Sequence, residues 1–534
     1  MHLFCYKKIM ENKKNIIILT ILFLILTIFF FLKTGNILID FSRETCIPFQ
    51  ILSGQKLMKD IFLIYGPFGY ILNSFLYLIK ININLLVIEA HLISFAIFIL
   101  FYFILNKFFA SKASLAFSII FLFTSIFSNS TFSFVLPYSF STLWAIFGLY
   151  LAFFSLLYNK KNILFLSLGL IFVNKPEMFI GAFLISIIYL IYKKDIFLKN
   201  LSYIFIFPLI CLIYFLINQI TIDDILKNYY YLKEMITTNS IKHLYEGMGV
   251  FFYDKYFAYN IILSLKTFLI LAFSYFLYII KKPFISYLTL GLLYFLNLNF
   301  AFNLIGFFSI FITFLAIKHK TTSKEELIFL GFSLILTSKS FFAVNPIGYG
   351  NFGYCLLIFY IFLQLQKFIN KKWLINSIIF IFIFVFINNL TLFIRENKTL
   401  FAIKNNLVAL KKVDKNIFEK TNLFIEKHIK KDENFIVLPE GQIFNVLHNK
   451  PYKFYNSTFT PLDFETFKEK QLINQLQDKR IEYIIFYPRD TLDYGKQGIC
   501  FDYAVDFCKY IMDNYTQVAT LKENKQVTIF KIKK

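Results

Sequence analysis

Between residues 35 and 82 the sequence gathers side chains that can do acid–base and anion chemistry. The segment reads Asp40-Phe-Ser-Arg43-Glu44-Thr-Cys-Ile-Pro48, then Gly54-Gln-Lys56-Leu-Met-Lys59-Asp60, then Tyr65-Gly66-Pro67-Phe68. Asp40 and Glu44 stand four apart, so in a helical turn their carboxylates share one face. Arg43 between them can keep both ionised, or grip a phosphate through two parallel hydrogen bonds. A carboxylate that is partly desolvated can act as a general base. The plainer alternative is that these charges cap a helix and sit in water.

Asn174-Lys175-Pro176-Glu177 is a second such cluster, set between two apolar runs. Lys175 suits a phosphate and Glu177 can supply a further acid, because charges at that depth are costly and mark substrate paths. A turn made by the proline is the competing explanation. Lys266 lies inside an apolar run, where it either snorkels to the interface or faces a lipid phosphate. Lys339 precedes Pro346-Ile-Gly348-Tyr349-Gly350, which reads as a re-entrant turn or as a second anion contact. Pro439-Glu440-Gly441 follows an apolar run and reads as a strand-to-helix loop, a place where ligands often bind but bare turns are commoner.

The elements that must hold these residues are mostly apolar. Of 534 residues 58% are hydrophobic and 16% charged, and mean hydropathy is +0.64. Uncharged stretches of about 17–22 residues recur, the length that crosses a hydrocarbon core. Lipid offers backbone groups no partner, so these runs are helices, and their lack of alternation excludes a β-barrel. About thirteen spans are expected, near 15–34, 82–105, 113–128, 139–158, 162–173, 178–192, 201–219, 260–280, 284–300, 303–317, 327–338, 352–367 and 374–394. The runs at 162–173 and 327–338 are short and need flanking residues or protein burial to cross. The first run is too long for a cleavable signal and no small-residue cleavage site follows it.

Lysine placement orients the chain. Lys7, Lys8, Lys13 and Lys14 precede the first run, and pairs at 107/112, 160/161, 193/194, 281/282, 318/320 and 371/372 follow alternate spans. All fall on one side if the N-terminus is cytoplasmic, as the positive-inside rule requires. An odd number of spans then puts the C-terminus outside. The net charge of +23 is explained by this and by contact with anionic lipid, not by nucleic acid, since no basic stripe is interleaved with aromatics. Residues 1–394 form the membrane domain with a first outer loop at 35–82. A longer outer loop runs over 221–259, and its stretch with Asp223, Asp224, Lys227, Lys233 and Glu234 reads as an interfacial amphipathic helix, with tyrosines 229–231 at headgroup level.

Residues 395–534 differ in character. Strand-like runs at 435–438, 483–487 and 527–532 alternate with helical patterns at 464–476 and 503–512, which predicts a small extracytoplasmic α/β domain. The chain has six cysteines and no CxxC, which argues against zinc or redox work. Cys500 and Cys508 flank a helix start; a disulfide between them is open if the region faces an oxidising space, although eight residues of straight helix would hold the sulfurs too far apart.

The segment Asp40–Glu44, Gly54…Asp60 and Tyr65-Gly66-Pro67 resembles the first outer loop of the glycosyltransferase C superfamily, the polyprenyl-phosphate-sugar transferases of the protein mannosyltransferase and aminoarabinose transferase type. Many spans, a large first outer loop and a C-terminal outer domain fit the same plan. The resemblance implies a multi-pass protein of the cytoplasmic membrane that moves a sugar from a polyprenyl-phosphate donor to an acceptor hydroxyl on a glycan, lipid or protein, with inversion. It implies Glu44 or Asp40 as the base, with Asp60 third. Arg43, Lys56, Tyr65, Lys175, Glu177, Lys266, Lys339 and Tyr349 would bind substrate, and the C-terminal domain would help hold the acceptor. Family members often carry a stretch like Lys175-Pro-Glu177 here. The chain departs from the pattern at 129–138, the next outer segment, which has no acid. That leaves the division of roles open, and with it any need for a divalent metal. No other cofactor is implied.

Rival classes make different demands. A flippase or transporter for a lipid-linked glycan needs broken helices with charges at mid-membrane, often in repeats. No repeat is visible, and the charges here gather at the outer boundary. A ligase or polymerase of another fold would place its key charges in a large late loop. A non-enzymatic assembly protein would need none of them.

Overall fold

A computed structural model of the protein describes residues 2–127, 133–195, 198–247, 257–295, 302–338, 353–523 and 525–533. The described parts of the apolar runs are mostly helical. In chain order the helices are α1 (His2–Phe30), α2 (Asp40–Leu52), α3 (Phe68–Ile79), α4 (Ile83–Phe108), α5 (Ser111–Phe121), α6 (Phe140–Leu157), α7 (Lys161–Asn174), α8 (Pro176–Tyr192) and α9 (Ile206–Ile217). They continue as α10 (Ile222–Ile236), α11 (Asn239–Gly247), α12 (Phe257–Ile279), α13 (Pro283–Phe295), α14 (Phe302–Lys318), α15 (Lys324–Leu336), α16 (Tyr354–Leu365) and α17 (Lys371–Glu396). Among the described residues five helical stretches are long and apolar enough to cross a bilayer, and several shorter apolar helices accompany them.

Their outward surfaces are inverted relative to those of a water-soluble fold. On α12 an apolar stripe of Ile262, Leu265, Leu269, Phe273 and Phe276 is exposed, each residue by more than half. Exposed apolar surface on that scale has lipid as its solvent. These are the helices of a membrane protein.

The segment expected as a first outer loop is itself mostly helical. The helices α2 and α3 fill it, joined by a turn-rich stretch at 53–67. Nine of the thirteen residues of α2 are buried. The amphipathic helix expected around Asp223 to Glu234 forms as α10, started by a reciprocal cap between Thr221 and Asp224. The buried Asn228 on α10 satisfies both backbone groups of Leu63, at 2.9 and 3.0 Å. The tyrosines expected at headgroup level divide: Tyr229 and Tyr230 are exposed, while Tyr231 packs against Phe62 and Phe467.

The C-terminal region begins with a hairpin, β1 (Lys398–Ile403) and β2 (Asn406–Lys411), followed by α18 (Lys412–His428). A four-stranded sheet follows, in the order β3-β4-β6-β5, from β3 (Phe435–Leu438), β4 (Tyr483–Phe486), β5 (Tyr515–Lys522) and β6 (Gln526–Ile532). The pair β3/β4 is parallel and the others antiparallel. Helices α19 (Ile443–Leu447), α20 (Pro461–Phe467), α21 (Glu469–Asp478) and α22 (Val505–Asn514) complete it. The three expected strands form. The hairpin and β5 were not anticipated, and the helix expected over 464–476 is broken at Lys468, whose φ of 63° is left-handed.

The alternative left open at the two late cysteines is settled against the straight-helix geometry. Cys500 and Cys508 form a disulfide, with Cα atoms 5.4 Å apart. Only Cys508 is helical. Cys500 sits in the preceding turn with φ of 70°, so the chain doubles back and the straight-helix distance does not apply.

The C-terminal region seats directly on α2 and the stretch that follows it. Phe62 N donates to Tyr455 O at 2.7 Å, Ile443 N to Ser42 Oγ at 2.7 Å, and Gln50 Nε2 to Tyr452 O at 2.9 Å. Ser240 on α11 bonds Glu465 and Tyr231 on α10 bonds Gln471. Three segments far apart in sequence are thereby joined on one end of the helical bundle.

Candidate functional site

The helix α2 starts at Asp40, so Arg43 and Glu44 follow within its first turns. Pro48 lacks an N–H, which leaves the Glu44 carbonyl without its usual helical donor. The two carboxylates that spacing made equivalent have opposite surroundings. Glu44 is fully buried, and both of its oxygens are occupied. Tyr70 Oη donates to Oε1 at 2.9 Å, Arg43 Nε lies 3.3 Å from the same oxygen, and Phe140 N donates to Oε2 at 2.8 Å. Because Phe140 opens α6, Glu44 also caps that helix, where its charge favours the positive end of the dipole. Asp40 keeps 32% of its side chain exposed and meets only one edge of Arg43, at 3.6 Å.

Burial raises the carboxyl of Asp40 above the ordinary aspartate range, because even its open edge lies in a recess walled by protein; Arg43 and Arg489 oppose the rise. Burial also raises Glu44, against the pull of Arg43, Phe140 N–H and Tyr70. Burial works against the charge on Arg43, but Glu44 and Asp40 outweigh it and keep the guanidinium protonated.

The second sequence cluster joins the first. Gly66 N donates to Asn174 O at 3.2 Å, and Ser141 Oγ donates to Gly66 O at 2.6 Å. A Cβ on Gly66 would stand 2.1 Å from Val173 O, so only glycine permits this approach. Tyr65 is thereby placed between two cations. Arg43 lies 5.7 Å from its ring centroid and Lys175 Nζ 4.7 Å. Lys175 is buried, directly before the proline that starts α8, and lies 3.5 Å from the exposed Glu177. Burial lowers its ammonium below the ordinary lysine range, opposed by Glu177. Arg43 Nη2 also donates to Tyr138 O at 2.8 Å, and the Tyr138 ring packs edge-on against Tyr65. The segment before α6, where an acid was missing, thus contributes a carbonyl and a ring.

The C-terminal region closes the site. In the parallel pair β3/β4, Leu438 lies opposite Phe486, which brings the two following loops side by side. Arg489 Nε then donates to Glu440 Oε2 at 2.7 Å, and Arg489 Nη2 reaches Asp493 at 2.9 Å. Burial pushes Glu440 up to about 7, against the pull of Arg489.

Other sequence candidates lie elsewhere. Asp60 accepts the Lys56 amide at 2.9 Å and closes a turn. Leu57 and Ile61 anchor that turn in an apolar cluster with residues of α9 and α10, so neither Asp60 nor Lys56 joins the Arg43 group. Lys266 is exposed on α12. Lys339 and Tyr349 lie outside the described residues. Sequence reading missed Tyr70, Tyr138, Arg489 and Asp493, and it treated Glu440 as a turn. It also passed over Glu89, a buried acid in the apolar α4 that accepts from Trp144 Nε1 at 3.0 Å. A lone charge inside an apolar run was the available signal for Glu89.

Among the described residues no group of three or more His, Cys, Asp and Glu side chains is arranged to hold a metal ion. No protein-family model matches the chain, and no curated protein matches its sequence.

Proposed function

We propose that this protein is an integral-membrane glycosyltransferase, moving a sugar from a polyprenyl-phosphate donor to an extracytoplasmic acceptor hydroxyl with inversion. About thirteen helices cross the cytoplasmic membrane in this reading. The N-terminus is cytoplasmic, and the α2 site and C-terminal region face outward. One observation carries the proposal: a partly open carboxylate, Asp40, stands beside Arg43, whose guanidinium shares the Tyr65 ring with a second buried cation, Lys175.

The arrangement divides the labour. The acceptor oxygen attacks the anomeric carbon, forming the new glycosidic bond, while the bond from that carbon to the phosphate oxygen breaks. Asp40 takes the acceptor's proton, which its raised carboxyl favours. Arg43 and Lys175 meet the charge on the departing phosphate in a water-poor setting, where such contacts count for more. Glu44, saturated by its three donors, positions Arg43 and takes no proton. The described residues give no ligand trio for a divalent metal, and no step is assigned to one.

The test is Asp40→Asn in purified protein supplied with polyprenyl-phosphate sugars, paired with profiling of lipid-linked sugars and glycans in cells lacking the chain. Loss of the base should cost about 10²–10⁴-fold in transfer, and cells should accumulate donor. Wild-type product from both Asp40→Asn and Glu44→Gln would remove the proposal. Vesicle transport of the donor without transfer would replace it with a flippase.

A further inference from the structure

A cleft of about 450 Å³ lies on the C-terminal region, away from the α2 site but sharing Arg489 with it. Strand alternation builds its floor. Phe486 pairs with Thr528, and Phe530 pairs with Gln517, so these four side chains and Gln526 emerge on one face of the sheet. The opposite face, with Ile485, Val527 and Ile529, is buried. The turn carrying Cys500 and the helix carrying Cys508 form a wall pinned by the disulfide. The remaining end lies where the parallel strands β3 and β4 terminate, the crevice in which open sheets bind ligands.

We infer that this cleft seats the acceptor and that the acceptor is a neutral glycan. The inference rests on the transferase reading for the word acceptor and adds a substrate class to it. The floor alternates ring surfaces (Phe486, Phe530) with neutral hydrogen-bonding groups (Gln517, Gln526, Thr528). A sugar presents the matching alternation of apolar C–H faces and hydroxyls. The charged side chain of the lining, Arg489, is already paired with Glu440 and Asp493, so it does not call for an anionic ligand. The route to the chemistry is short in contacts. Arg489 holds Glu440, and the loop of Glu440 enters α19, whose Ile443 N is fixed to Ser42 beside Arg43. Arg489 is also close enough for its charge to act on Asp40. In this inference a glycan lying in the cleft runs its end past Arg489 in the direction of Asp40.

Full-length protein in nanodiscs, applied to an array of defined neutral and acidic oligosaccharides, tests this. Gln526 is exposed on its strand, so Gln526→Trp fills the floor without touching the buried face, and Thr528→Val removes a hydroxyl at nearly constant volume. The wild type should retain neutral glycans. Gln526→Trp should weaken capture at least about tenfold, with an unchanged melting midpoint, and Thr528→Val should weaken it less. In a parallel transfer assay both variants should raise KM for the acceptor more than they lower kcat. Three results overturn the inference: no glycan captured by the wild type, capture of acidic glycans or of peptides from a control library instead, or undiminished capture in both variants. Failure of the transferase reading looks different. The wild type would then transfer no sugar from any polyprenyl-phosphate donor, while it still captured neutral glycans and the cleft variants still lost capture.

Discussion

The seam where α2 meets the C-terminal region and the flank formed by α12 to α14 use the same alphabet in opposite ways. In the seam charged residues are buried: Glu44 is 0% and Lys175 5% exposed. In the flank apolar residues are turned outward, with Leu269 on α12 69% exposed and Phe314 on α14 64%. Burying a charge is costly unless partners are fixed around it. The seam meets that cost with interlocking backbone from four segments, whereas the flank offers lipid and has nothing to fix. Chemistry is therefore expected where backbone from distant parts of the chain converges, and the comparison can be broken by substitutions on either side.

The largest effect is expected at Glu44. Glu44→Gln leaves Arg43 buried with only the distant edge of Asp40 as an acidic partner, and breaking a buried pair costs about 3–5 kcal/mol. Thermal denaturation in detergent should show this loss, while Asp40→Asn, about a third exposed to begin with, should stay within about 1 kcal/mol of wild type. A stable but inactive Glu44→Gln alongside an active Asp40→Asn would exchange the roles assigned to the two acids.

Glu440 comes next. Its carboxyl is raised by burial from 4.5 to about 7, so the folded state favours the protonated form. The stability it contributes is fully present below about 4.5 and is lost as pH rises through about 7. Glu440→Gln removes that titration. The stability of wild type relative to Glu440→Gln should fall by at most about 3 kcal/mol between pH 4.5 and 8. A difference that grows with pH would mean that the Arg489 pair outweighs desolvation.

Much of the flank was legible in the sequence, because a bilayer demands helices and tolerates few charges; even the short runs at 162–173 and 327–338 are helical. The acids of α2 were legible as a pair, since their spacing is local. What separates them was not, because the partners of Glu44 come from Tyr70 and from Phe140, and the latter acts through a backbone N–H that carries no residue-type signal. Arg489 was hidden for a related reason. It matters only because β3 and β4 pair in parallel and in register, a non-local choice that places its loop beside Glu440. The Cys500–Cys508 bond stayed open in the sequence because spacing does not show the left-handed turn at Cys500 that replaces the straight helix.

The two lysines set the smallest effects and the sharpest contrast. Lys175 and Lys266 both interrupt apolar sequence, and spacing gave neither an advantage. Lys175 is held against Tyr65 within reach of Glu177, so it is already aimed where a phosphate would leave. Lys175→Ala should lower transfer about a hundredfold, the scale of one lost contact to a developing anion. Lys266 emerges beside Leu265 and Leu269 on the outward stripe of α12, where its long stem lets the ammonium reach the interface. Lys266→Ala should change transfer by less than about twofold, because a snorkelling lysine touches lipid and no reacting group. Measuring both variants with the same donor decides between the regions. A tenfold loss at Lys266 would bring the donor's phosphate to α12 and dissolve the distinction between seam and flank.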